Sequence, residues 1–367
     1  MARPLSMLTI KGFKSIRELV DFKLEKLNVL IGGNGAGKSN FVEIFRLLRA
    51  MVEQNLGAYA HGHGGADDFF FNGPKQTNSI MAHFHFGMNE YRFELGPTAS
   101  EAFLIKSEEQ KYQQSGWMSI GTNKPESRLL DIRDQKGVIA PHGVGYYVYQ
   151  AVSNWTVYHF HDTGELARMR RSEIVEDNKR LRPNADNLAP LLLRLKKSTQ
   201  KSYREIVDAV RLVTPFFDDF LLEPTIRGEK ETVKLAWKQK GSDYPMQPYH
   251  FSDGTIRFIC LAAALLQPDL PPTIVIDEPE LGLHPYAIEI LAELIRASAK
   301  RTQVIISTQS PALVDCFSPE DIIVVNREHG ASTFQRLDAA SLTAWLEDYS
   351  LGELWRKNIV AGGPVRE

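Results

Sequence analysis

Apolar residues recur at two different periods along this chain. Near the start, Leu8-Thr9-Ile10 leads into Gly12-Phe13-Lys14-Ser15, and Leu27 to Ile31 is a short apolar run with branched residues that stops at glycines. Both predict strands. From Lys38 to Val52 the period lengthens to that of a helix, with Phe41, Ile44, Phe45, Leu48 and Met51 on one face. Residues 55–78 are rich in glycine, histidine and asparagine and predict a loop. Ile80–Phe86 and Tyr91–Leu95 alternate as paired strands do, and the alternation continues weakly to Tyr158.

A different pattern holds from 164 to 213. Leu188, Leu191, Leu192 and Leu195 recur at helical spacing, as do Tyr203, Ile206 and Val210. Arg168, Arg170, Arg171, Lys179, Arg180, Arg182, Arg194, Lys196, Lys197 and Lys201 make this stretch basic. It reads as a small helical insertion. Strands return from Phe220 to Trp237. Helix and strand then alternate over Ile256–Leu266, Thr273–Asp277, Pro285–Ser298 and Thr302–Ser307. Such alternation implies a parallel sheet with crossover helices, hence an α/β fold. Residues 1–163 and 214–367 are expected to build one discontinuous domain around the insertion at 164–213. Gly362-Gly363-Pro364 is expected to fray.

Composition narrows the class only slightly. The chain has 367 residues, enough for a sizeable core. Its net charge of −2 argues neither for nor against nucleic acid. No apolar stretch reaches the about 18 residues of a membrane span, and the N-terminus lacks a signal-peptide core. Cys260 and Cys316 stand apart without a metal-ligand pattern and read as reduced thiols, so a cytoplasmic location without membrane contact is expected.

The chemistry is concentrated in two motifs. Gly32-Gly33-Asn34-Gly35-Ala36-Gly37-Lys38-Ser39 is a full Walker A loop, placed between an apolar strand and an amphipathic helix as the motif requires. Its glycines let backbone N–H groups turn inward around phosphate oxygens, and the helix N-terminus adds its positive end. Lys38 can reach the β- and γ-phosphates, Ser39 can ligate Mg2+, and Asn40 opens the helix beside them. Ile274-Val275-Ile276-Asp277-Glu278 is a buried strand ending in two acids. Asp277 suits the Mg2+-side acid of Walker B, and Glu278 is placed to orient or deprotonate the attacking water. Asn123-Lys124-Pro125-Glu126 is no guanine reader, since it lacks the Asp and follows no apolar strand. ATP is therefore the expected nucleotide. Ser252-Asp253-Gly254-Thr255 precedes an apolar helix; alone it would read as an ordinary N-cap.

The order Walker A, Ser-Asp-Gly-Thr, Asp-Glu-Pro-Glu, then Ser307-Thr308-Gln309-Ser310 resembles the ABC-type ATPase heads of the RecF, SMC and OLD group, and most of all the stand-alone ATPases of the AAA15/AAA21 class. Leu8–Ser15 is similar to their first strand. Ser350-Leu351-Gly352-Glu353-Leu354-Trp355 followed by Gly362-Gly363 is similar to their C-terminal pattern. The resemblance is weaker from about 97 to 215. It implies an ABC-type P-loop head with a parallel-sheet core and an antiparallel β lobe. Ser252, Asp253, Gly254 and Thr255 then match the signature that contacts nucleotide held by a second subunit. Leu281-Gly282-Leu283-His284 match the D-loop, and Gln309 stands at the switch position. Lys14 and Ser15 are implied to lie near the nucleotide. His284 replaces a transporter Asp, Gln309 a transporter His, and Asp253 a transporter Gly. A transporter is disfavoured on those grounds, and an amide that cannot titrate implies slow hydrolysis.

The same resemblance implies a homodimer or higher oligomer on ATP binding and a separately encoded effector, such as a Toprim-like or HNH nuclease, in DNA repair or antiphage defence. An ATP-dependent scaffold that barely hydrolyses is the alternative. The insertion is too short for an SMC coiled coil, and the chain after Ser310 is too short for a fused Toprim domain. Basic residues within 168–204 could track a DNA backbone, although Glu173, Glu176 and Asp177 interrupt them. His61 with His63, His83 with His85, and His159 with His161 and Asp162 are read as structural, the last two sets fitting strand alternation; no metal beyond Mg2+ is expected. Gln76, a candidate for the Q-loop, reads as a loop glutamine.

Overall fold

The computed structural model describes residues 3–136 and 142–360. Two compact units divide the chain: one runs up to Val157 and resumes at Ser318, and the other is Tyr158–Phe317. Gly362, Gly363 and Pro364 lie outside the described residues.

In the first unit an antiparallel sheet runs in the order Ile16–Lys23, Met7–Phe13, Ile80–Phe86, Asn89–Pro97, Phe103–Tyr112, Met118–Lys124. Its period of two separates the faces. Leu8 pairs with Phe84, which pairs with Tyr91; Ile10 pairs with Ala82, which pairs with Phe93. All six are buried. The register puts Thr9, His83 and Arg92 on the opposite face, with His85, Glu90 and Lys111 beside them.

The strand that carries the P-loop, Leu27–Ile31, is buried at every residue. It runs parallel to Ile322–Glu328, which turns back as Ala331–Arg336. A strand covered on both sides reads as a continuous apolar run, the pattern seen in the sequence. Helix Lys38–Val52 packs Phe41 against Phe334 at 5.4 Å between ring centroids and Phe45 against Trp155 at 5.0 Å.

In the second unit Thr273–Asp277 and Gln303–Thr308 pair in parallel, with helix Pro285–Ala299 as their crossover. Helices Gln200–Val213 and Asp253–Leu266 pack together, and so do Asp253–Leu266 and Pro285–Ala299. Residues 164–213 hold helices Leu188–Ser198 and Gln200–Val213. They also hold the short strand Glu173–Ile174, which joins Lys230–Val233.

Two stretches differ from the expected elements. Within 55–78 a helical turn spans Leu56–His61, because Leu56 and Ala60, four apart, are both buried. The strand alternation is interrupted before it resumes at strand Thr156–Tyr158: Val144–Ser153 is a helix that buries Val148, Ala151 and Val152. Its three tyrosines favour strands locally, but tertiary burial overrides that preference.

Candidate functional site

The first unit builds the P-loop on two glycines, Gly32 and Gly37, where a side chain would collide with its surroundings. Gly37, at φ 116°, caps the helix; a Cβ there would stand 2.0 Å from Ser332 Oγ. A Cβ on Gly32 would stand 2.3 Å from the Val325 carbonyl. Lys38 is 5% exposed and folds its ammonium onto the loop, donating to the Gly32 carbonyl at 2.6 Å and that of Gly33 at 3.2 Å. Asn34 and Ser39 are exposed.

Beneath the loop lies a hydroxyl brace. Ser332 Oγ is 2.7 Å from Ser15 Oγ and donates to the Ala36 carbonyl, while Asn40 Nδ2 donates to Ser15 Oγ at 2.7 Å. Ser15 is thus buried against the underside of the loop. Lys14, forced to φ 49°, places its ammonium 4.6 Å from the Phe69 ring centre. Sequence reasoning missed Ser332; a lone serine in a late hairpin carries no local signal.

The acidic strand end belongs to the second unit. Asp277 accepts a hydrogen bond from the Ser307 hydroxyl, and its carbonyl faces His161 Nε2 at 3.2 Å. The next residue, Glu278, adopts φ 47°, a left-handed conformation that costs a non-glycine residue about 1–3 kcal/mol. Its N–H donates to the Ser307 carbonyl at 2.9 Å and its carboxylate accepts from the Gln309 amide. Gln309 is itself set by Glu280, which accepts from its N–H at 3.1 Å and from the Thr308 hydroxyl. Burial raises Glu280 above the usual carboxylate range, although those hydrogen bonds oppose the shift. Sequence reasoning did not single out Glu280; the signal available was a second acid two residues after Glu278.

Ser252 caps helix Asp253–Leu266, its Oγ accepting from Thr255 N–H at 3.1 Å. The helix N-terminus stays exposed at Ser252 and Asp253. Gly254 lets the loop 281–284 approach, since a Cβ there would lie 2.4 Å from the Gly282 carbonyl. Two arginines fix this corner. Arg257 donates to the carbonyls of Phe160 at 2.9 Å, His161 at 3.2 Å and Leu281. Burial lowers its pKa, with the Asp253 charge opposing. Arg170, only 5% exposed, donates to the carbonyls of Thr163, Pro248 and Phe251 and pairs with Asp253 at 2.9 Å. His284, at the end of that loop, caps helix Pro285–Ala299 through Nδ1 at 3.3 Å from Tyr286 N. Leu281, His284 and Tyr286 are exposed.

Residues 27–124 and 149–315 match the model of a family described as "AAA domain, putative AbiEii toxin, Type IV TA system". The chain belongs to this family. No curated protein matches it. Among solved structures, the AAA-domain chain is similar to an SmcHead bound to the C-winged helix domain of ScpA. The identity is 17%, covering 93% of this chain and 99% of that one, with a TM-score of 0.60. It is likewise similar to an Smc head domain with an extended coiled coil, bound to the C-terminal domain of ScpA and derived from Pyrococcus furiosus. There the identity is 17%, the coverage 94% and 99%, and the TM-score 0.56. At such identities the likeness is one of fold: this AAA domain is a mixed α/β head of the SMC kind, as the resemblance implied.

Within the AAA domain several basic residues of 168–204 pair with acids of the same unit. Arg182 meets Asp177 at 2.5 Å and Asp186 at 3.4 Å, Arg194 meets Asp269 at 3.9 Å, and Lys196 meets Asp219 at 2.9 Å. Among the described residues no helix is long and apolar enough to cross a membrane.

Proposed function

We propose that this protein is an ATP-operated switch that closes as a homodimer or higher oligomer around ATP–Mg2+ and opens on hydrolysis. The observation that carries the reading is the geometry at Glu278: a carboxylate held in strained backbone, bound by Gln309, next to an Asp277 fixed by Ser307. Strain of this kind persists where the surroundings over-determine it, and it clusters at active sites.

The residues fit the nucleotide and its ion. Backbone N–H groups of 34–39 and the Lys38 ammonium suit the phosphates, and the Ser39 hydroxyl and Asp277 carboxylate are the hard oxygen donors that Mg2+ prefers. When bound, the ion neutralises charge on the phosphate oxygens. Glu278 orients and deprotonates the attacking water, and Gln309 holds Glu278 in place. Ser252 and Gly254 act in trans: they stand at an exposed helix N-terminus, where a second subunit's phosphate would meet unsatisfied N–H groups. The D-loop with His284 is exposed beside them and supplies the seam.

The output we assign is control of a separate effector, such as a Toprim-like or HNH nuclease, in the cytoplasm, serving DNA repair or antiphage defence. The Smc head structures carry ScpA domains, so a head of this fold can hold a protein partner. DNA contact through 168–204 is the weaker part of the reading, because intramolecular ion pairs occupy Arg182, Arg194 and Lys196. Residues 164–213 are better assigned a bracing role on the signature through Arg170.

ATP turnover of the parent and of Glu278→Gln tests the enzyme. Turnover that falls by about 100-fold or more with nucleotide binding kept supports Glu278 as the base. Equal turnover removes that role. Co-purification with a nuclease, or DNA-dependent turnover, tests the output; the absence of both counts against it. A second reading, an ATP-dependent scaffold, draws on Gln309, whose amide holds Glu278 without being able to take up a proton. Brisk turnover lost in Glu278→Gln would remove that reading.

A further inference from the structure

The nucleotide chemistry leaves one cluster of ligating side chains unused. His83 and His85 lie two apart on strand Ile80–Phe86 and therefore share a face. Glu90 pairs across from His85 on the next strand and joins them. One ligand atom from each residue can be chosen so that all lie within 4.8 Å of one another. Glu90 Oε2 is 2.9 Å from His83 Nε2 and 3.8 Å from His85 Nδ1. A tetrahedral zinc with nitrogen and oxygen ligands holds its ligand atoms about 3.3 Å apart, between those two spacings. The imidazole of His85 makes no hydrogen bond: its Nε2 is buried without a partner, and its Nδ1 lies beyond hydrogen-bond reach of Glu90.

We propose that His83, His85 and Glu90 form a binding site for a zinc-class divalent cation on the polar face of the antiparallel sheet. Two imidazoles and a carboxylate select late first-row metals over Mg2+, which prefers oxygen alone.

Lys111 is the counterweight. Its ammonium lies 3.0 Å from Glu90 Oε1. It leaves Oε2 to the metal and orients the carboxylate, but its charge weakens binding. The site joins two neighbouring strands, so the cation acts as a brace whose effect on stability grows with its free concentration.

Cobalt(II), a coloured stand-in for zinc, is titrated into the full-length nucleotide-free protein. Visible absorption should saturate at one ion per chain, be bleached by Zn2+ and survive excess Mg2+. His83→Ala with His85→Ala should abolish it, with circular dichroism unchanged. Lys111→Met should tighten it, because a positive charge beside the ligating carboxylate is removed. Asp277→Ala should leave it unaltered, which separates this site from the ion position of the nucleotide site. Absent absorption in both the parent and Lys111→Met would overturn the proposal, as would binding that survives the double histidine variant.

Discussion

Glu280 shows how a single residue carries both geometry and a pH signature. Its buried carboxyl is raised above the ordinary carboxylate range and holds the backbone of Gln309. Between the ordinary value and the raised one, the unfolded chain has released a proton that the folded chain still holds. That contribution to stability is therefore present at low pH and lost as pH rises through the folded value. Glu280→Gln cannot ionise, so its melting temperature relative to the parent should rise from acid to neutral pH; a gap that does not change with pH would contradict the burial argument. Arg170 is the second telling residue. Arg170→Ala should lose roughly 1.5–3 kcal/mol in denaturant unfolding, the worth of hydrogen bonds to a charged group, and should weaken ATP-driven assembly. Lys at this position should not restore assembly, since one ammonium cannot match the four-way contact of a planar guanidinium. Neither residue's role could be read in the sequence. Arg170 looked like one cation in a basic stretch, and only the fold shows it buried against Phe251 and Asp253.

Elements were legible where one period dominated. Helix Lys38–Val52 and strands Ile80–Phe86 and Thr273–Asp277 stand where their apolar patterns put them, because each buries one continuous stripe or run. Val144–Ser153 was not legible, since its tyrosines pull towards strand while its buried residues follow a helix. The brace under the P-loop joins Ser15, Asn40 and Ser332, which are distant in sequence, and no local pattern announces it. Its tightness gives a prediction at this scale. Gly37→Ala puts a methyl 2.0 Å from Ser332 Oγ and imposes φ 116° on a residue with a Cβ. ATP affinity measured by calorimetry should fall by at least about tenfold while the circular dichroism spectrum stays unchanged; unaltered affinity would show that the brace does not set the loop.

For the whole molecule, the order of motifs along the chain led to an ABC-type head before any coordinates, and the family match and the Smc head likeness agree with it. What the sequence could not supply is how residues 252–255 and 281–284 are held together. Gly254, Gly282 and Arg257 do this through backbone contacts that need the folded chain, and Arg170 fixes Asp253. The exposed corner they build, Ser252 with Leu281, His284 and Tyr286, is the surface the switch reading uses between subunits. In the proposed switch ATP closes two copies on one another. Light scattering of the parent and Glu278→Gln, with and without ATP–Mg2+, tests it directly. The mass should rise to a dimer or more with ATP and stay raised in Glu278→Gln; an unchanged mass in both proteins, with ATP bound, would rule out closure of two copies by ATP.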